Sequence, residues 1–334
     1  MRILFNCGLP FGLAHGGQAI QIQQIMAALR GLGLAVEPVK WWDENQTGDV
    51  IHFFGRMPAE QIRFAHNKKI KVVMAEFLTV QGSRTARQLR TQKLISRAIA
   101  RLTPRTFRAA FNWDSYRLAD ALIALTPWEK HLMEYLFGAE PARTQVVPNG
   151  VEEVFFKAPP TERGPWLVCT ATITGRKRVL KLAQAAIMAR TPVWIIGGAY
   201  ADTDPYARQF FQLARDHPQF IRYEGPVSDR AKLAAIYRAA RGFVLLSTME
   251  SLSLSALEAA ACECPALLSD LPWARGSFAQ GAQFCPVTNS LSVTAQALRH
   301  FYDAAPGLPR PAKPLTWSDV ARQLTDLYTK IMAD

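Results

Sequence analysis

The sequence predicts an α/β protein built from two Rossmann-like, doubly wound domains. Short continuous apolar runs recur along it, as expected of strands buried on both faces of a parallel sheet. Amphipathic stretches of about 10–15 residues separate these runs, as crossover helices would. The alternation stops at a Pro-rich segment, Ala158–Pro165 (APPTERGP), and then restarts. A chain of 334 residues also exceeds the usual size of one hydrophobic core.

The expected elements follow in order. Arg2–Cys7 is a strand, and Leu9–Gly17 a loop rich in Gly and Pro. Gln18–Leu32 carries Ile20, Ile22, Ile25, Leu29 and Leu32 at helical spacing. Leu34–Val39 is a second strand, and its Pro38 suits only a sheet edge or a strand end. Asp49–Phe54 and Lys71–Phe77 are strands, with a helix near Pro58–Ala65 between them. Ala119–Leu125 is a strand that enters a helix at Thr126-Pro127, with Thr as N-cap and Pro in the first turn. Thr144–Pro148 closes this half. After the Pro-rich segment come strands at Trp166–Ala171, Pro192–Gly197, Phe220–Tyr223, Gly242–Leu246, Ala266–Ser269 and Gln283–Pro286. Helices are expected at Lys177–Ala189, Arg230–Ala240, Ser253–Cys262, Ser290–Tyr302 and Ser318–Ala333. The domains are read as 1–157 and 158–317, with helix 318–334 packing back on the first. Doubly wound sheets bind ligands at the carboxyl ends of their strands, so a central cleft that both domains face is the expected site.

Composition narrows the class. Apolar residues make up 49% of the chain, and no apolar run reaches the ~18–20 residues of a membrane span. The opening MRILFNCGLP reads as a strand rather than a secretory leader. Cys7, Cys169, Cys262, Cys264 and Cys285 are odd in number, and Cys262 and Cys264 form C-x-C with no matching pair nearby. They read as buried reduced thiols in a reducing, cytoplasmic setting, with no metal site. The formal charge of +12 suits anionic partners: nucleotide phosphates, phospholipid headgroups or nucleic acid.

The strongest chemical signal is a pair of glutamates, Glu250 and Glu258, eight positions apart. The first lies in a strand-to-helix loop, the second inside the helix. The backbone N–H groups of Ser251, Leu252, Ser253 and Leu254 lie near a helix N-terminus, which favours an anion. A carboxylate accepts paired hydrogen bonds from a vicinal diol, so two of them suit a sugar and a ribose. Bare Glu spacing is weak evidence, since solvated helix charges are common. Its context is more specific: Ser247, Glu250, Glu258, Ala259, Ala261, Pro265, Ser269 and Asp270 stand in one run.

Here the sequence resembles glycosyltransferase family 4, a group 1 family of retaining enzymes with the GT-B fold. Asp120–Leu125 with Val147-Pro148-Asn149-Gly150-Val151, Thr172–Ala186, and Phe220–Gly225 with Leu233–Ala240 match further family blocks in the right order. The resemblance implies a donor-sugar contact for Glu250 and a ribose contact for Glu258. It implies a diphosphate grip for Lys177 and approach of the donor phosphate to the Gly16-Gly17 backbone. Arg176 and Arg178 flank Lys177, and one of them replaces a family Arg whose positions hold Ala171 and Thr172. Ser251 stands where the family has Gly, and Glu76 lies in the neighbourhood of a family His. His15 and His52 are stand-ins for that His, with a buried structural role the better account of His52. Asn149 joins the donor-binding set.

The implied activity is retaining transfer of a sugar from a UDP- or GDP-sugar to a glycan, lipid-linked or small-molecule acceptor. Cations and helix N-termini stabilise the leaving diphosphate, so no metal or other cofactor is expected. Asp202-Thr203-Asp204 imitates a metal-binding DxD, but a turn with helix capping explains it better. The alternatives are a sugar-nucleotide epimerase of the same architecture and a non-catalytic nucleotide-sugar-binding protein.

A basic segment remains. Arg84, Arg87, Arg90, Lys93, Arg97, Arg101, Arg105 and Arg108 recur every three or four residues. From Arg87 to Arg101 the cations occupy one half of a helix, with Ile95, Ile99 and Leu102 on the other. Such a helix reads as an acceptor site or a contact with the inner face of an anionic membrane, weighed evenly against a merely solvated face. Nucleic acid is disfavoured, because no stacking aromatics interleave with the cations.

Overall fold

In the computed structural model the described residues are all but 9–15, 41, 105, 106, 108, 109, 158–160, 202 and 334. The chain divides into two compact units, Met1–Gly150 with Leu315–Asp334, and Val151–Pro314.

The first unit contains β1 (Arg2–Cys7), α1 (Gly17–Gly31), β2 (Ala35–Pro38), β3 (Val50–Phe54), α2 (Ala59–Asn67), β4 (Lys71–Ala75), α3 (Thr79–Gly82), α4 (Ala86–Leu102), α5 (Ser115–Leu118), β5 (Ala121–Ala124), α6 (Pro127–Phe137) and β6 (Thr144–Val146). Its parallel sheet runs β2-β1-β3-β4-β5-β6, so the order reverses between β1 and β3. Pro38 ends the edge strand, where its missing N–H costs no ladder bond. Val72, Val73 and Met74 of the central strand β4 are fully buried. On α1 the buried stripe is Gln21, Ile22, Ile25, Met26 and Leu29, whereas Ile20 and Leu32 are exposed. Ile22, Ile25 and Leu29 of the expected stripe are thus buried, and Leu32 lies just past the end of the helix as its C-cap. Thr126 caps α6 by accepting from Glu129 N at 3.1 Å, with Pro127 in the first turn.

The second unit contains α7 (Val154–Lys157), β7 (Leu167–Thr170), α8 (Val179–Met188), β8 (Val193–Ile196), α9 (Pro205–Asp216), β9 (Ile221–Tyr223), α10 (Arg230–Ala239), β10 (Gly242–Leu245), α11 (Leu254–Ala261), β11 (Ala266–Ser269), α12 (Pro272–Ser277), β12 (Ala282–Cys285) and α13 (Leu291–Ala304). Its parallel sheet runs β12-β11-β10-β7-β8-β9, the dinucleotide-fold order, with the reversal between β7 and β10. Helices α9 and α12 are not among the expected elements.

The division between units falls at Gly150, not after Lys157. The cause is α7, whose Phe155 is fully buried against Tyr237 and whose carbonyl accepts from Arg238 Nη2 at 2.7 Å. At the other end the chain returns to the first unit from Leu315 rather than 318. The last helix, α14 (Trp317–Ala333), packs on α1. Tyr328 on α14 lies 2.5 Å from His52 Nδ1 in β3, and His52 stacks on Phe54 at 4.4 Å. Burial lowers the His52 pKa to about 3, which favours the neutral imidazole.

Candidate active site

The order reversal in the second sheet explains where its charged side chains meet. Strands β7 and β10 are neighbours, and their following loops leave the same sheet edge in opposite directions. The loop after β7 carries Arg176 and Lys177; the loop after β10 carries Glu250. Lys177 Nζ donates to Glu250 Oε1, and Arg176 Nη1 donates to the same oxygen at 3.3 Å. The Glu250 side chain is 11% exposed and that of Lys177 13%. One backbone bond and one side-chain bond hold the two loops in register: Thr248 N donates to Arg176 O at 2.9 Å, and Arg176 Nη1 to Met249 O at 3.0 Å. Two cations thus converge on one buried carboxylate, an array able to receive an anion and a hydroxyl side by side.

Gly197, at the end of β8, makes this packing feasible. Its φ is +147°, and a Cβ there would lie 2.0 Å from Ala171 O. That close approach lets the loop after β7 run tightly over β8, with Ile173 N donating to Gly198 O at 3.0 Å.

Helix α11 starts just beyond Glu250. Ser253 caps it, accepting from Ala256 N at 3.4 Å, and Leu252 and Ser253 are buried while Ser251 is half-buried. Inside the helix, Glu258 Oε1 accepts from Arg230 Nη2 at 2.5 Å and Oε2 from Tyr237 Oη at 3.3 Å. Burial raises the Glu258 pKa, with Arg230 opposing the shift. Arg230 also binds Glu152 through Nε at 2.7 Å.

Arg178 does not join the Lys177 group. Its φ is +54°, and its Nη2 donates to Thr288 O at 2.6 Å, a carbonyl shared with Lys181. Arg176, not Arg178, therefore reaches Glu250. Glu76 is paired within the first unit. Arg56 grips it through Nε and Nη2 at 2.8 and 2.9 Å, and Tyr116 Oη donates to it at 2.5 Å. Asn149, in the first unit, is buried. His15 lies outside the described residues, as do Arg105, Arg108 and Asp202. Asp204 caps α9, accepting from Tyr206 N at 2.9 Å.

In the first unit, Gly16 precedes α1 with φ +149° and Gly17 opens the helix; both are exposed, and among the described residues no side chain caps the end. On α4, Arg87, Arg90, Arg97 and Arg101 are exposed, but so are Leu94 (67%), Ile95 (55%) and Leu102 (83%). Arg84 donates to Gln92 at 2.5 Å, and Lys93 lies over the Tyr135 ring at 3.4 Å. Among the described residues no helix is long and apolar enough to cross a membrane, and no group of His, Cys, Asp and Glu forms a metal-ion cluster. Cys169, Cys262, Cys264 and Cys285 are buried, and burial pushes the first three thiols up to about 12.

Sequence reasoning missed Arg56, Glu152, Arg230 and Tyr237. For Arg230 a signal existed: a cation in the first turn of a helix opposes the macrodipole, so its partners must lie elsewhere in the fold.

Two parallel-sheet α/β units with these strand orders define the GT-B class of fold. Over the whole chain the fold is similar to that of sucrose-phosphate synthase from Thermosynechococcus elongatus, with a TM-score of 0.69 at 16% identity, covering 100% of each chain. It is also similar to Anabaena HepE in complex with UDP and glucose, with a TM-score of 0.63 at 13% identity, covering 98% of this chain and 99% of that one. Residues 164–304, most of the second unit, match the family described as Glycosyl transferases group 1. A D-inositol 3-phosphate glycosyltransferase of Kineococcus radiotolerans is 31% identical over 169 residues, 44% of this chain and 39% of that protein. The D-inositol 3-phosphate glycosyltransferase 2 of Catenulispora acidiphila is 27% identical over 246 residues, 65% of this chain and 57% of that protein. The chain thus matches 39% and 57% of the length of these relatives.

Proposed function

We propose that the chain is a retaining glycosyltransferase that moves a sugar from a UDP- or GDP-sugar to a glycan, lipid-linked or small-molecule acceptor. The observation that carries this is the convergence of Lys177 and Arg176 on the buried Glu250 at the order reversal of the second sheet. Cleaving the donor bond leaves negative charge on the diphosphate, and these two cations neutralise it. No metal cofactor is required in this scheme. Glu250, released from its ion pair as the diphosphate takes the cations, accepts hydrogen bonds from sugar hydroxyls and orients the ring. Glu258 accepts from the ribose. The exposed N-terminus of α1 at Gly16-Gly17 is a further place for a phosphate. The support from relatives is of two kinds: sequence kinship with glycosyltransferases, and a fold shared with a protein solved with UDP and glucose.

A panel of UDP, GDP, ADP and their sugars, read by thermal shift, tests the donor assignment. One nucleotide series at about 100 times its dissociation constant should add ~2.7 kcal/mol of stability. A flat response across the whole panel would rule the donor site out.

We also propose a cytoplasmic location with α4 resting on an anionic membrane. Its exposed Leu94, Ile95 and Leu102 beside four exposed arginines match a helix lying in a lipid interface. The protein should sediment with vesicles containing phosphatidylglycerol, at roughly 1 kcal/mol per cation, and release in high salt. Charge reversal of Arg87, Arg90, Arg97 and Arg101 should abolish this, and equal binding to purely zwitterionic vesicles would argue against it.

A further inference from the structure

We propose that Arg230 is a positioning residue, whose guanidinium holds the Glu258 carboxylate ionised and in one orientation to accept hydrogen bonds from the hydroxyls of a nucleotide ribose. This rests on the ribose role given to Glu258 above.

The geometry has four parts. Arg230 Nη2 lies 2.5 Å from Glu258 Oε1 and 2.5 Å from Glu152 Oε2, so one nitrogen bridges two acids. The guanidinium lies over the Phe155 ring at 4.7 Å, which fixes its plane. The Glu258 side chain is 8% exposed, so its orientation is set by its neighbours. Finally, Arg230 opens α10, where the helix dipole disfavours a cation; Asp229 supplies the cap, accepting from Ala231 N and Lys232 N. The arginine therefore serves its carboxylate partners rather than its helix.

An ionised carboxylate offers about four acceptor sites. Arg230 takes one on Oε1 and Tyr237 one on Oε2, which leaves one on each oxygen for a pair of vicinal hydroxyls. The charged and titratable groups facing Glu258 are Arg230 and Tyr237 from α10, Glu152 from the segment before α7, and Cys262 from the end of α11. Burial and Glu152 favour the protonated carboxyl, and Arg230 opposes both. Without Arg230, Glu258 takes up a proton at a higher pH and loses acceptor capacity as pH falls.

The test is calorimetric binding of UDP against 2′-deoxy-UDP, and GDP against 2′-deoxy-GDP, from pH 5.5 to 8.5. The wild type should prefer one ribonucleotide by about tenfold at pH 8.5, the worth of a charge-assisted hydrogen bond, and should keep that preference to a lower pH than Arg230→Met. Arg230→Met should lose the preference at pH 5.5 and regain part of it by pH 8.5. Arg230→Lys should show the same trend at smaller amplitude, and an unaltered preference in it overturns the proposal even where Arg230→Met fails to fold. Equal loss of affinity for ribo- and deoxynucleotide in Arg230→Met, flat with pH, marks a purely structural arginine and also overturns it. A wild type with no ribose preference, or Glu258→Gln discriminating as well as wild type, defeats the ribose role itself and the proposal with it.

Discussion

Lys177→Ala is expected to lower kcat for sugar transfer by roughly 10²–10³, the cost of removing one preorganised donor from a developing negative charge. Glu250→Ala should cost a similar factor, because the carboxylate and the cation act on adjacent parts of one substrate. Lys177 Nζ and Glu250 Oε1 are bonded to each other, so their losses should not add in the double variant. The measurement is steady-state turnover beside near-ultraviolet circular dichroism and a melting curve for each protein. Arg176 also lies 3.3 Å from Glu250, so removal of Lys177 should not leave the carboxylate without a cation, and the unit should stay folded. A folded Lys177→Ala or Glu250→Ala protein with more than half the wild-type turnover would remove this pair from the mechanism.

Gly197→Ala should be among the most destabilising single methyl additions in the chain. The new Cβ would meet Ala171 O at 2.0 Å, and alanine would sit at φ +147°, a region nearly closed to residues with a side chain. The contact is with backbone, so no rotamer change relieves it. Backbone strain and overpacking together put the cost at about 3–5 kcal/mol. It should appear as a lower denaturant midpoint and, because the shifted loop carries Arg176 and Lys177, as weaker nucleotide binding. Gly198→Ala, whose added methyl meets nothing within 4 Å, is the control and should retain both properties. Equal midpoints for the two variants would show that the close approach at Gly197 is dispensable.

Much of the fold was legible because buried parallel strands advertise themselves. Runs such as DVIHFF, KVVMAEF and GFVLL are mostly apolar, and each contains a strand of its sheet. Pro38 announced an edge, and Thr126-Pro127 a helix start, because each acts within a few residues of itself. Helix α9 was missed although its cap, Asp204, was recognised as a capping residue: only Ala207 and Phe210 are buried in it, so the apolar stripe is short. The unit boundary at Gly150 was missed for the opposite reason. A Pro-rich stretch marks where a chain can turn, but the burial of Phe155 decides which unit the preceding residues join.

The site divides in the same way. By itself the sequence determined the two sheets, the Glu250 and Glu258 spacing, and Lys177 beside Arg176, since composition and local periodicity encode these. Tertiary structure alone decided that Arg178 turns to Thr288, that Arg56 and Tyr116 occupy Glu76, and that Glu152 shares Arg230 with Glu258. Glu152 and Arg230 are 78 positions apart, and Arg56 and Tyr116 are 60. No local pattern links such residues; they meet only because strand order brings the ends of distant loops to one edge of a sheet.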